Sequence, residues 1–92
     1  MAEEFLSLVF FLLKDNNNVK ILIYLSKQEE PCSLRKIARN VGLNHKNTAK
    51  YLNNLVELGL VEVVYSAPNI TLYKFSEKFK TKEVLETIEK YS

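Results

Sequence analysis

Leu34-Arg-Lys-Ile-Ala-Arg-Asn-Val-Gly-Leu-Asn-His-Lys-Asn-Thr-Ala-Lys-Tyr-Leu-Asn-Asn-Leu-Val-Glu-Leu-Gly-Leu60 is the stretch whose reading decides the fold. Leu34, Ile37, Ala38 and Val41 recur at i, i+3, i+4 and i+7, which is one face of a helix. Ser33 before them is a good N-cap, because its short side chain accepts from an unpaired amide of the first turn. Gly42 suits the left-handed conformation that ends a helix and turns the chain. Asn44 then caps a further helix, His45 to about Leu58, and Gly59 ends that one in the same way. The stretch reads as helix, glycine turn, helix.

Upstream, Ala2 to Lys14 reads as a short helix, apolar on nearly all sides. Asp15-Asn16-Asn17-Asn18 interrupts it, since these side chains compete with helical backbone bonds and favour turns and caps. A second helix, roughly Asn17 to Lys27, carries Val19, Leu22, Ile23 and Leu25. Glu29-Glu30-Pro31 ends it, because the residue before proline is pushed out of the helical region. Downstream of Gly59, Leu60 to Tyr65 and Ile70 to Phe75 are rich in β-branched and aromatic residues, with Ser66-Ala67-Pro68-Asn69 between them, as in a β-hairpin. A last helix is expected from Glu77 to the end, with Val84, Leu85, Ile88 and Tyr91 at helical spacing. The order α-α-α-α-β-β-α is mainly α with a β-hairpin (α+β), and 92 residues are one domain, residues 1–92.

The charge is unevenly placed. Pro31 to Val56 carries Arg35, Lys36, Arg39, Lys46 and Lys50 and no Asp or Glu; of thirteen basic residues in all, eight remain to face eleven acidic ones elsewhere. The net charge of +2 says little, but clustered positive charge on a helical pair is the footprint of a phosphate-backbone binder. The single cysteine, Cys32, excludes an internal disulfide and any multi-cysteine zinc site. It reads as an inert thiol; a redox role is the alternative, since Arg35 and Lys36 nearby would favour its thiolate. The apolar run Phe5 to Leu13 is too short to span a bilayer, which needs about 20 residues. It follows Glu3 and Glu4 rather than lysines, and no small-residue cleavage site comes after it. A soluble, cytoplasmic protein that does not engage membranes is expected.

These features resemble the winged helix-turn-helix family, and within it bacterial and archaeal repressors of the ArsR and MarR kind. The resemblance is carried by a small residue in mid-helix, Ala38, then Gly42 and the apolar Leu43. It continues with Leu52, Leu55, Gly59, Leu60 and Val61, and with Tyr73-Lys74-Phe75-Ser76 at the exit of the wing. It covers about Val19 to Ser76. It implies a winged-helix fold and a DNA-binding transcription regulator, a repressor, without catalytic function. Two departures stand out: Thr48 replaces the usual Val or Ile, which should weaken the core slightly, and the wing tip Ser66 to Asn69 has no Arg or Lys.

Helical geometry supports the same assignment. At 100° per residue Thr48, Leu52 and Leu55 form a core-facing stripe. Lys46, Lys50, Asn53 and Asn54 fall opposite, with Asn47 nearby. Asn can pair with adenine and Lys can reach guanine or phosphate, and the N-terminal residues of a recognition helix contact base edges. The expected DNA-binding residues are Ser33, Arg35, Lys36, Arg39, Asn44, His45, Lys46, Asn47, Lys50, Asn54 and Lys74. Arg35, Lys36 and Arg39 fit phosphate better than bases. Each has a plainer role: Asn44 as an N-cap, His45 and the cations as solvated surface, Tyr51 as packing at the core edge. Lys74 is the cation nearest the wing tip. With one histidine and no ligand spacing, no metal site is expected, nor any cofactor or small-molecule ligand.

The apolar helix at residues 1–15 and the last helix at 77–92 are expected to form a homodimer, as the flanking helices of relatives do. Phe5, Leu8, Val9, Leu12, Leu85 and Ile88 would lie in the interface, because a helix apolar all round is buried on all sides. Double-stranded DNA and a second copy are the expected partners. The competing readings are a winged helix that binds only protein and a non-specific architectural DNA binder. An enzyme is disfavoured: Cys32 and His45 are the one conceivable nucleophile–base pair, and they sit on different elements with no acid to orient them.

Overall fold

A computed structural model describes residues 15–90. The apolar segment carrying Phe5, Leu8, Val9 and Leu12 lies outside the described residues, as does Tyr91. Asp15 opens the fold: its extended backbone and carboxylate, accepting from the Asn17 amide at 2.9 Å, cap helix α1, Asn16–Ser26. Val19, Ile21, Leu22 and Leu25 of α1 are buried. Asn18 is buried with them, although its type had marked it as a turn former.

After Pro31 comes strand β1, Cys32–Ser33, which the sequence reading missed. Two residues are too few for a periodic signal, and their partners lie far along the chain. Helix α2, Leu34–Val41, follows, with the Ser33 hydroxyl accepting from the Lys36 amide at 3.2 Å. Gly42 sits at φ 76°, and both its N–H and that of Leu43 donate to the Ala38 carbonyl. Helix α3, His45–Glu57, is capped by Asn44, whose Oδ1 accepts from the Asn47 amide at 2.8 Å. Gly59 at φ 80° closes it, with Leu60 N–H donating to the Leu55 carbonyl. Both helix ends use the left-handed residue that glycine adopts without strain.

Strands β2, Val61–Ala67, and β3, Ile70–Phe75, form the hairpin, and the antiparallel sheet runs β1-β3-β2. Cys32 pairs with Tyr73 and Ser33 with Leu72, so the sheet is stitched directly to the start of α2. The hairpin is longer than expected: Ser66 and Ala67 pair with Thr71 and Ile70, leaving Pro68 and Asn69 as the turn. A bulge lies between Val63 and Tyr65. The last helix also departs from the expected span. Glu77–Phe79 forms a 3-10 turn, Lys80 leaves helical geometry, and helix α4 runs Lys82–Lys90. Thr81 starts it afresh, its hydroxyl accepting from the Val84 amide at 3.3 Å.

One continuous core joins Leu22 and Leu25 of α1, Ile37 of α2, Leu52 and Leu55 of α3, Val61, Phe75, and Val84 and Ile88 of α4. Ile88 had been assigned to a dimer interface. At 6% exposure it is held by the chain's own core, where α4 packs on α1. Leu85, half-buried, lies at the edge of that core. Among the described residues, four α-helices and the three-stranded sheet make an α+β winged helix.

Candidate nucleic-acid interface

On α3 the core stripe holds: Thr48, Leu52 and Leu55 are fully buried. Threonine at 48 has a compensation the sequence did not reveal. Its hydroxyl donates to the Asn44 carbonyl at 2.8 Å, so the polar atom is satisfied and braces the first turn. Fixing that stripe inward turns His45, Lys46, Asn47, Lys50 and Asn53 to solvent, with Asn54 half-buried. On α2 the same logic buries Ile37 and Ala38 and exposes Arg35, Lys36 and Arg39. No acid occurs on either helix before Glu57.

The two helices open on a common surface. Ser33, Arg35 and His45 line one cleft of about 490 Å³ together with Pro68 and Asn69 of the hairpin turn. The wing tip therefore faces the starts of both helices across a gap flanked by a guanidinium and an imidazole. Ser33 and Asn44 use their acceptor atoms as helix caps. The capping role of Asn44 is thus filled, and its further use is limited to what its amide nitrogen reaches.

Lys74 does not extend this surface. Its ammonium lies 3.8 Å from the Glu62 carboxylate and 3.6 Å from that of Glu77. It pairs with Glu62 near the base of the hairpin, away from the Pro68–Asn69 turn. Its assignment to DNA rested on its being the cation nearest the wing tip, and its charge is already answered by two carboxylates. The wing instead exposes apolar side chains: Val63, Val64, Tyr65 and Ile70 are 42–55% accessible. Alternation along the strands did not foretell this, because among the described residues little packs over most of the outer strand β2.

Sequence reasoning also missed the link between α3 and the start of α1. The Tyr51 hydroxyl donates to Asp15 Oδ2 at 2.5 Å and accepts from Asn17 Nδ2 at 3.2 Å. The Tyr51 hydroxyl and the Asn17 backbone N–H hold the Asp15 carboxyl below its ordinary value against the opposing effect of burial, with a lesser pull from the Lys50 ammonium. A tyrosine expected only to pack thus fastens α3 at one edge, beside one of its exposed cations. A residue spacing of 36 positions left no local signal for this contact.

A helix-turn-helix backed by a β-hairpin defines a winged-helix protein, and here the exposed face of the helical pair is basic. The chain belongs to the Rrf2 family of iron-dependent transcriptional regulators, matched over residues 14–92. Its structure is similar to that of the transcriptional regulator PA3341, with a TM-score of 0.71, 22% identity and 98% of this chain covered. It is also similar to a mutant MepR from a multidrug-resistant S. aureus clinical isolate, with a TM-score of 0.60, 18% identity and 84% of this chain covered. The chain spans 65% and 54% of the lengths of those two chains. At these identities the likeness is one of fold. No match was found among curated proteins.

The family's description raises iron as a cofactor, and the donor set does not fit it. Cys32 is the one cysteine and His45 the one histidine. Among the described residues no three of His, Cys, Asp and Glu come together. Nor is any helix among them long and apolar enough to cross a membrane.

Proposed function

We propose that this chain is a sequence-specific regulator that binds double-stranded DNA as a homodimer, with α3 in the major groove. The observation that carries the reading is the exposed face of α2 and α3, free of acids before Glu57, with Arg35, Lys36, Arg39, Lys46 and Lys50 all at the surface. In this reading His45, Lys46, Asn47 and Lys50 meet base edges or adjacent phosphates. Arg35, Lys36 and Arg39 hold the backbone. The apolar segment with Phe5, Leu8, Val9 and Leu12, aided by Leu85, joins two copies. Two α3 helices would then address half-sites roughly 34–36 Å apart. Kinship with ArsR- and MarR-type repressors is, on this view, a matter of the shared winged-helix frame, and repression is the expected outcome of occupying a promoter.

The test is a mobility shift on random-sequence and genomic duplexes at about 50 and 200 mM salt, since phosphate neutralisation makes affinity fall steeply with salt. Salt-sensitive binding that enriches a palindromic site supports the proposal. Binding without enrichment favours an architectural role. Absence of binding at low salt favours protein partners, a reading for which the apolar wing around Tyr65 is the supporting observation.

A further inference from the structure

Iron dependence sets demands on donors. Iron–sulfur clusters are held by cysteine thiolates, with two histidines replacing two of them in one class. Non-haem ferrous sites use two histidines and a carboxylate. This chain of 92 residues holds one cysteine and one histidine.

Neither is placed to serve. Cys32 is 1% exposed and sits in β1, its thiol donating to the Glu30 carbonyl at 3.5 Å. Its pairing partner is Tyr73, itself buried. His45 is exposed at the first turn of α3, in the face assigned to DNA. Two carboxylates do converge, those of Glu62 and Glu77, but the Lys74 ammonium lies between them. The residues outside the described span add no further cysteine or histidine, and Glu3 and Glu4 as their carboxylate side chains. A two-fold dimer would double the set to two thiols and two imidazoles, with each thiol enclosed in its own core.

We infer that this chain keeps the winged-helix frame of its family while its own residues hold neither iron nor an iron–sulfur cluster. Its DNA affinity is therefore indifferent to iron. That last clause rests on the DNA-binding proposal, whereas the statement about iron content does not.

The experiment is anaerobic reconstitution of the intact chain with ferrous iron, sulfide and thiol, followed by desalting, metal analysis and visible absorption. Iron at background and no visible chromophore are expected, with the same result for Cys32→Ser. Stoichiometric iron that survives desalting would overturn the inference, and its loss in Cys32→Ser would identify the ligand. A mobility shift with and without a chelator then reads regulation, with no change expected. A shift in affinity on chelation would also overturn it. If the chain binds no DNA at all, the functional proposal fails while the iron content still decides this one.

Discussion

Asp15 carries three tasks at once: it caps α1, accepts from Tyr51 and faces Lys50. Because its carboxyl is held below the ordinary value near 3.9, the charged form favours the folded state. That contribution is complete above the unfolded value and is lost as pH falls through the lower, folded one. Asp15→Asn keeps a competent cap and removes the charge. Urea denaturation should therefore find the variant less stable than the parent near pH 7, with the gap closing only below about pH 4. A gap that is constant down to the most acidic conditions would show that the charge is irrelevant. Gly42 poses a different residue-scale question. A Cβ there meets nothing within 4 Å, so Gly42→Ala tests backbone conformation alone. The expected loss is about 1–2 kcal/mol, or roughly 4–15 °C in Tm for a domain of this size.

At the level of elements, α3 is the part whose two faces do different things. Leu52 is fully buried against the core. Leu52→Ala should cost about 2–5 kcal/mol, by lost burial and the cavity left behind. Thermal unfolding would read it directly. Lys46→Ala and Lys50→Ala lie on the opposite face and should leave Tm nearly unchanged while weakening DNA binding. A phosphate contact should weaken all sequences alike and reduce the salt slope by about 1; a base contact should cost about 1–3 kcal/mol, mainly on the preferred site. Unchanged affinity in both variants would reject the face. The hairpin offers the contrasting case. Lys74 is engaged by Glu62 and Glu77, so Lys74→Ala should alter neither affinity nor salt slope, and exposed pairs of this kind add little stability.

For the whole molecule, the distribution of apolar surface frames the question of assembly. Ile88 and Val84 are taken up by the chain's own core, so α4 presents little beyond Leu85 to a partner. The proposed dimer therefore leans on Phe5, Leu8, Val9 and Leu12. Replacing Leu8 and Leu12 together by Ser should convert a dimer to a monomer in sedimentation equilibrium at micromolar concentration. DNA binding should fall with it, because two linked half-sites bind more tightly than one. A monomeric mass for the unaltered chain would reject the assembly outright.

The sequence by itself determined α2, the glycine turn and α3, because caps, helical spacing and left-handed glycines act within a few residues. Ser33, Gly42, Asn44 and Gly59 each perform the local task their side chains, or lack of one, impose. It also determined the buried stripe of α3 and hence the exposed basic face, since a 3.6-residue period fixes one once the other is packed. What tertiary structure alone decided depends on contacts between distant residues. Strand β1 exists because Cys32 and Ser33 meet Tyr73 and Leu72. Tyr51 reaches Asp15, Lys74 is drawn to Glu62 and Glu77, and Ile88 is enclosed rather than offered. Each of these outcomes changes what a side chain is free to do. None leaves a local trace, because the groups that settle it are brought together only when the chain has folded.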